Sequence, residues 1–266
     1  VTQTIRLSAT PAMKLAPGLY LIPNTLGSEA REEQILGVLP AEVIHIAAQI
    51  QYWIVENAKT SRALLKAIDQ HSPLQNPLQQ LHIQEWRGSH KNRDSLQARD
   101  LLKPCLEGHA LGLMSEAGLP AIADPGAEIV AAAHELKITV HPLVGPSSIL
   151  LALMASGFNG QSFSFHGYLP TAADERTQAI KALESHSRKS KQTQIWIETP
   201  YRNSAMLDSL IAATSDSTRL CLACDLTLPS QKIITQTRAQ WQKFMKHDVS
   251  ALQNLNQRPA IFLLLA

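Results

Sequence analysis

The sequence predicts an α/β protein of two domains with mostly parallel or mixed sheets. Short apolar runs of strand length alternate with helical patterns along the whole chain, which is typical of α/β domains. The 266 residues, 45% of them hydrophobic and 17% charged, suffice for sizeable cores. A segment at 142–146 with two prolines and a glycine divides two such series, so we expect domains at 1–143 and 144–266.

The N-terminal half opens with a short apolar run, Leu19 to Ile22, which a proline closes. This pattern predicts a buried strand that enters a loop. The segment 43–55 is apolar, and its type stays open between helix and strand. The same periodicities predict the remaining elements of this half: helices from about Ser28, over 58–69, 95–106 and 127–136, and strands over 109–114 and 138–143.

The C-terminal half repeats this class of pattern. It predicts helices over 147–155, 174–184 and 202–214, and strands over 161–165, 194–198, 219–225 and 260–266. The strand over 219–225 contains Cys221 and Cys224. Alternation along a strand places these two side chains on opposite faces, which favours buried packing over a redox or metal role. No second pair of cysteines or histidines completes a zinc site, so we expect no metal.

The sequence lacks the motifs of several common classes of protein. No Gly-x-Gly-x-x-Gly follows a predicted strand, and the P-loop, His-Glu-x-x-His and Gly-x-Ser-x-Gly patterns are missing. No apolar run is long enough to cross a membrane, and prolines interrupt the N-terminal stretch where a secretory signal would lie. Three cysteines form no disulfide framework. We therefore expect a cytoplasmic protein without membrane contact.

The net charge of +2 is too mild to indicate nucleic-acid binding by itself. Two segments are richer in basic residues, with five Lys or Arg residues each over 87–103 and 176–191. Either segment could face phosphates. The alternative for each is an ordinary solvated helix face.

The most distinctive stretch is the loop from Ser115 to Gly126, which follows a predicted strand and precedes a predicted helix. Its glycines and prolines shape a compact loop whose backbone groups can face a ligand. Asp124, Pro125 and Gly126 can turn the chain into the next helix. A tight connection without any ligand explains the composition equally well.

This loop resembles the Ser-Asp-Ala-Gly-x-Pro-x-Ile-x-Asp-Pro-Gly segment of the tetrapyrrole methylase superfamily, in its ribosomal RNA small subunit methyltransferase I branch. Other segments resemble further motifs of that branch in the same order along the chain. They lie at 21–27, 144–148, 166–170, 197–202 and 259–265. Each segment alone is a weak signal, and the six in register make chance similarity improbable.

The resemblance implies a two-domain methyltransferase that binds S-adenosylmethionine in a cleft between the domains and forms a homodimer. It implies a cofactor pocket with contributions from both domains. The cofactor-binding residues that it suggests are Gly118, Leu119, Pro120, Ile122, Ser147, Ser148, Glu198, Thr199, Ala223, Cys224, Pro259 and Ala260. For each of them the alternative is plain packing at the end of a strand.

The branch carries a Glu-Asp-Thr-Arg motif, which aligns here with residues 56–59. By resemblance, Glu56 and Lys59 are the catalytic candidates. Asn57 and Ala58 have lost a carboxylate and a hydroxyl, and Lys59 lacks the bidentate fork of arginine. The Asp of the loop motif is Glu116 here, and Leu119 replaces a smaller polar residue.

Three functions follow from these observations. The leading hypothesis is methylation of RNA, with a ribose 2′-oxygen of ribosomal RNA as the acceptor that the resemblance implies. The second is methylation of a tetrapyrrole ring carbon, which is the chemistry of the wider superfamily. The third, motivated by Asn57 and Ala58, is a divergent binding protein that keeps the fold without catalysis.

Overall fold

The computed structural model describes residues 15–27, 32–88, 94–247 and 252–266. The chain divides into two compact units, Val1–Ser147 and Ser148–Ala266. The domain boundary that the sequence suggests at 143/144 stays a prediction.

The first unit contains a five-stranded parallel sheet in the order β3-β2-β4-β1-β5. Because all the strands run in one direction, their carboxyl ends lie along one edge of the sheet. The strands are β1 Gly18–Leu21, β2 Tyr52–Val55, β3 His82–Glu85, β4 Ala110–Met114 and β5 Val140–Pro142. The helices are α1 Glu32–Val38, α2 Ala41–Gln49, α3 Ala58–His71, α4 Asp94–Leu101, α5 Lys103–Leu106 and α6 Ala127–Glu135.

Both faces of this sheet are buried, and alternate residues of β2 belong to different cores. Trp53 and Val55 pack with α2 and α3, whereas Ile54 packs with α4 and α6. Trp53 lies so close to Gly112 of β4 that a Cβ there would be 2.5 Å from the indole ring. Central strands with two buried faces are continuously apolar, which is why the sequence identifies β1 and β4.

Some elements of the first unit differ from the sequence expectations. The ambiguous segment 43–55 contains most of α2 and all of β2. The helix expected over 95–106 is two helices, α4 and α5. Strand β3 was missed because it is an edge strand whose side chains are largely exposed. The helix start expected near Ser28 lies outside the described residues.

The second unit contains a five-stranded mixed sheet in the order β6-β7-β10-β8-β9. Strand β6 pairs in parallel with β7, and the three other pairings are antiparallel. The strands are β6 Phe163–Tyr168, β7 Thr193–Glu198, β8 Arg219–Cys224, β9 Lys232–Thr237 and β10 Ala260–Leu265. The helices are α7 Ser148–Ser156, α8 Ala173–Ser190, α9 Asn203–Ala213 and α10 Arg238–His247. The predicted α/β class with parallel and mixed sheets is confirmed.

The core of the second unit is built around Trp196, Trp241 and Phe262, each fully buried. The predicted strand over 219–225 is confirmed as β8, and burial raises the pKa of both Cys221 and Cys224 to about 11. The sequence predicts no element between 225 and 260. Strand β9 and helix α10 were missed because β9 is a half-exposed edge strand and α10 is mostly polar. Within the described ranges, no helix has the length and apolar character needed to span a membrane.

Candidate functional site

Two loops of the first unit are joined at the carboxyl edge of its sheet. The Asn24 amide N donates to the Gly118 carbonyl at 2.8 Å, and the Gly118 N donates to the Thr25 carbonyl at 3.1 Å. The Asn24 side chain, only 3% exposed, also donates from Nδ2 to the carbonyls of Ser115 at 3.1 Å and Glu116 at 2.9 Å. The loop after β1 therefore fixes the backbone of the loop after β4.

The backbone of the 115–126 loop adopts several left-handed conformations. Gly118 has φ +68°, and Ala121 and Ala123 both have φ +66°. This conformation costs an L-residue about 1–2 kcal/mol, so the surrounding contacts must hold the two alanines in place. Backbone strain of this kind tends to occur at ligand sites.

A third loop, after β5, packs on the first. At Gly145 a Cβ would lie 2.1 Å from the Cβ of Pro23 and 3.4 Å from a methyl group of Leu119. The Pro146 carbonyl oxygen lies 3.5 Å from the position of a Cβ on Gly118. We call these three loops, residues 22–27, 115–126 and 143–146, the loop cluster.

Four of the predicted cofactor residues lie in the loop cluster. Gly118 and Pro120 are buried, Leu119 is half-buried and Ile122 is 51% exposed. Ser147 follows directly after the cluster and is buried. The structure thus brings these five together in the first unit, whereas Ser148 begins α7 of the second unit.

The catalytic candidates Glu56 and Lys59 lie beside the loop cluster, after the end of β2. The Glu56 Oε2 accepts a hydrogen bond from the Glu116 N at 2.9 Å, and the Glu56 N donates to the Met114 carbonyl at 3.1 Å. Lys59 is exposed on the first turn of α3. Of the two, Glu56 is therefore the one that contacts the 115–126 loop.

Two of the three residues that depart from the Glu-Asp-Thr-Arg motif, Asn57 and Ala58, contribute to the start of α3. Asn57 is its N-cap, and the Asn57 Oδ1 accepts from the Lys59 N at 2.9 Å. Asparagine and aspartate cap helices almost equally well, so this substitution preserves the local fold. The Ala58 N donates to the Glu85 Oε1 at 2.8 Å, and this bond lowers the pKa of Glu85.

Asp124 is the site residue whose chemistry the sequence analysis missed. Burial, together with the negative charges of Glu56 and Glu116, raises the pKa of Asp124 to about 7. The Asp-Pro-Gly pattern at 124–126 predicts a turn only. A carboxyl group with this pKa is present in both protonation states near neutral pH, which is a property of proton-transfer groups.

The raised pKa makes the effect of Asp124 on stability dependent on pH. Between about pH 4 and pH 7 the unfolded state loses this proton while the folded state keeps it, so the stability contributed by Asp124 falls as the pH rises. Asp124→Asn cannot ionise. We expect the variant to exceed the wild type in melting temperature at about pH 8, with a smaller or no advantage near pH 4.

Thermal melts across this pH range check the expectation, with the exposed Asp208→Asn of α9 as the control. A difference between wild type and Asp124→Asn that does not change with pH would contradict it.

The predicted cofactor residues of the second unit other than Ser148 lie together at one end of three adjacent strands, β7, β10 and β8. Ala260 lies directly between Glu198 of β7 and Cys224 of β8 in the pairing register. The Asp225 N donates to the Pro259 carbonyl at 3.1 Å. Thr199 directly follows Glu198, and Ala223 precedes Cys224 and faces the opposite side of the sheet.

Two acidic residues at these strand ends are already paired. Glu198, 6% exposed, accepts at Oε1 from the Thr199 N at 2.7 Å and from the Arg202 Nε at 2.8 Å. The Asp225 Oδ2 accepts from the Arg258 Nε at 2.7 Å. These ion pairs order the strand ends, and they leave the Glu198 Oε1 committed to protein partners.

Among the described basic residues of the two segments, Arg176 is buried and the others are exposed, several of them in ion pairs at the surface. Arg176 is buried, and its Nε donates to the Ser209 Oγ at 2.9 Å, so the interpretation of this residue as phosphate-facing is wrong. Arg99 pairs with Glu135 at 2.6 Å. Further charges of the two segments pair with acids as well: Arg87 with Glu85, Lys103 with Asp100 and Arg188 with Glu184. Lys91 and Arg93 lie outside the described residues.

No family model matches the chain. The fold itself matches that of tetrapyrrole methyltransferases. A cobalt precorrin-4 methyltransferase of cobalamin biosynthesis superposes with a TM-score of 0.55 at 16% identity, over 93% of this chain and 94% of that one. The methyltransferase CobJ gives a TM-score of 0.53 at 14% identity, over 93% and 92%.

Curated relatives make the resemblance more specific. Each of three is named ribosomal RNA small subunit methyltransferase I. The protein of Vibrio cholerae is 28% identical over 80% of this chain and 66% of its own length. That of Escherichia coli O157:H7 is 29% identical over 79% and 65%, and that of Xylella fastidiosa is 29% identical over 91% and 81%. The resemblance inferred from the motifs is confirmed, and the chain spans just under two thirds of the first two relatives.

Proposed function

We propose that this chain is an S-adenosylmethionine-dependent methyltransferase that acts on ribosomal RNA, with a ribose 2′-oxygen as acceptor. The loop cluster carries this proposal, because it lies at the carboxyl edge of a parallel sheet, where α/β proteins bind ligands. The relatives that match most of the chain bear the name of a ribosomal RNA methyltransferase. We further propose that the protein is a cytoplasmic homodimer.

The loop cluster has the features that the cofactor requires. The Ser115 Oγ is buried and lacks a hydrogen-bond partner in the structure, and Leu119 and Ile122 offer accessible apolar surface. A methionine derivative with a nucleoside needs both polar and apolar partners. We propose that Gly118, Leu119, Pro120, Ile122 and Ser147 hold it.

For the residues at the strand ends of the second unit's sheet, and for Ser148, the proposal of cofactor binding rests on the resemblance alone. Pro259 is exposed and offers apolar surface, whereas Ala260 and Ala223 are 5% and 1% exposed and would contribute backbone groups. The neutral thiol of Cys224 suits packing rather than nucleophilic attack, because burial raises its pKa to about 11. Since the Glu198 Oε1 is paired with Arg202, we expect Glu198 and Thr199 to contribute mainly by shaping the strand end.

Methyl transfer requires contributions from both the cofactor and the protein. The bound cofactor supplies an activated methyl group on its sulfonium. The chain must align the acceptor, exclude water and take up a proton when the acceptor is a hydroxyl group. Asp124 is suited to hold a proton near neutral pH because its pKa is raised to about 7.

Calorimetry and methyl-transfer assays test the proposal. We expect the purified protein to bind S-adenosylmethionine and S-adenosylhomocysteine and to transfer labelled methyl groups to small-subunit ribosomal RNA. Failure to bind either compound would rule out a methyltransferase. Binding with transfer to a porphyrinoid instead would favour the tetrapyrrole reaction, and binding without transfer to either substrate would favour a divergent binding protein. Sedimentation of the same sample tests the homodimer.

A further inference from the structure

Glu56 links the end of β2 to the loop after β4 through both its backbone and its side chain. The Glu56 N donates to the Met114 carbonyl at 3.1 Å, so the chain still follows the sheet at this point. The side chain extends beyond the end of β4, where its Oε2 accepts from the Glu116 N at 2.9 Å. Residues 60 apart in the sequence are thus joined at the beginning of the 115–126 loop.

This contact bears on a loop that needs support from outside. Ala121 and Ala123 are both left-handed, and such conformations persist only where neighbouring contacts fix them. The Asn24 Nδ2 donates hydrogen bonds to the carbonyls of Ser115 and Glu116. The Glu56 carboxylate accepts a hydrogen bond from the Glu116 N. An ionised acceptor makes this hydrogen bond stronger than a neutral acceptor would.

We propose that Glu56 is a positioning residue that holds the 115–126 loop in its ligand-binding form through the Glu116 amide, and that it is not the group that accepts the proton from the substrate. The proposal rests on the proposed function. A general base must have its carboxylate directed at the acceptor hydroxyl. Here the Glu56 Oε2 accepts from the Glu116 N, and the comparison of alanine with glutamine at this position decides between the two roles.

Two substitutions separate the roles. Glu56→Ala removes the hydrogen-bond acceptor, whereas Glu56→Gln keeps an oxygen that can accept from the Glu116 N but cannot take up a proton at neutral pH. We expect Glu56→Ala to speed amide hydrogen exchange at Glu116 and to weaken S-adenosylhomocysteine binding about tenfold. We expect Glu56→Gln to restore slow exchange and to recover affinity to within about threefold.

Amide hydrogen exchange, calorimetry and steady-state kinetics supply the readouts, with Glu107→Ala as the matched control. Glu107 is an exposed acid before β4. Positioning predicts that Glu56→Ala raises KM for the cofactor and that Glu56→Gln rescues it. If Glu56→Gln binds S-adenosylhomocysteine normally yet loses as much kcat as Glu56→Ala, Glu56 is the base and the proposal is wrong.

Unchanged exchange and affinity in Glu56→Ala would overturn the proposal as well. Failure of the wild type to bind S-adenosylhomocysteine would instead count against the proposed function. The exchange comparison needs no ligand and decides in that case whether Glu56 holds the loop.

Discussion

Gly118→Val is expected to abolish detectable binding of S-adenosylhomocysteine while the protein stays folded. Gly118 has φ +68°, a conformation that a β-branched residue adopts only with strain of about 1–3 kcal/mol. Its Cβ would also lie 3.3 Å from a methyl group of Leu26. Because Gly118 exchanges backbone hydrogen bonds with Asn24 and Thr25, any movement that relieves the strain separates the two loops.

Calorimetry and thermal melts of Gly118→Val should be read against Gly157→Val. Gly157 has a closely similar φ of +72°, and nothing lies within 4 Å of the position of its Cβ. The control therefore carries the same backbone strain away from the loop cluster, and we expect it to bind as the wild type does. Normal affinity in a folded Gly118→Val would remove this loop from the cofactor site.

The sequence predicts the central strands β1 and β4 but misses the edge strands β3 and β9, for a physical reason. β1 and β4 are flanked by strands on both sides and covered on both faces, so their residues must be apolar throughout. Among the described residues, β3 and β9 each pair with one strand only, and their side chains are largely exposed or half-exposed. Because exposed side chains need not be apolar, β3 and β9 have no apolar run of strand length that would predict a strand.

In the candidate site, the features that depend on local sequence could be predicted, whereas those that depend on distant residues could not. The turn-forming residues of the 115–126 loop are visible in the sequence because glycine and proline have local conformational preferences. The bond from the Glu116 N to Glu56 and the raised pKa of Asp124 depend on residues that are distant in the sequence. Arg176 shows the converse, since it adds to a basic count but is buried against α9.

Gly145→Ala tests whether the loops after β1 and β5 must stay in close contact. The new Cβ would lie 2.1 Å from the Cβ of Pro23 and 2.5 Å from its Cγ, and a proline ring cannot rotate away. We expect the free energy of unfolding to fall by about 1–3 kcal/mol. S-adenosylhomocysteine affinity should fall about tenfold or more, because Pro23 precedes the Asn24 that holds Gly118. Denaturant unfolding and calorimetry measure both quantities. Gly160→Ala, with nothing within 4 Å of its Cβ, is the control, and equal values in the two variants would contradict this close packing.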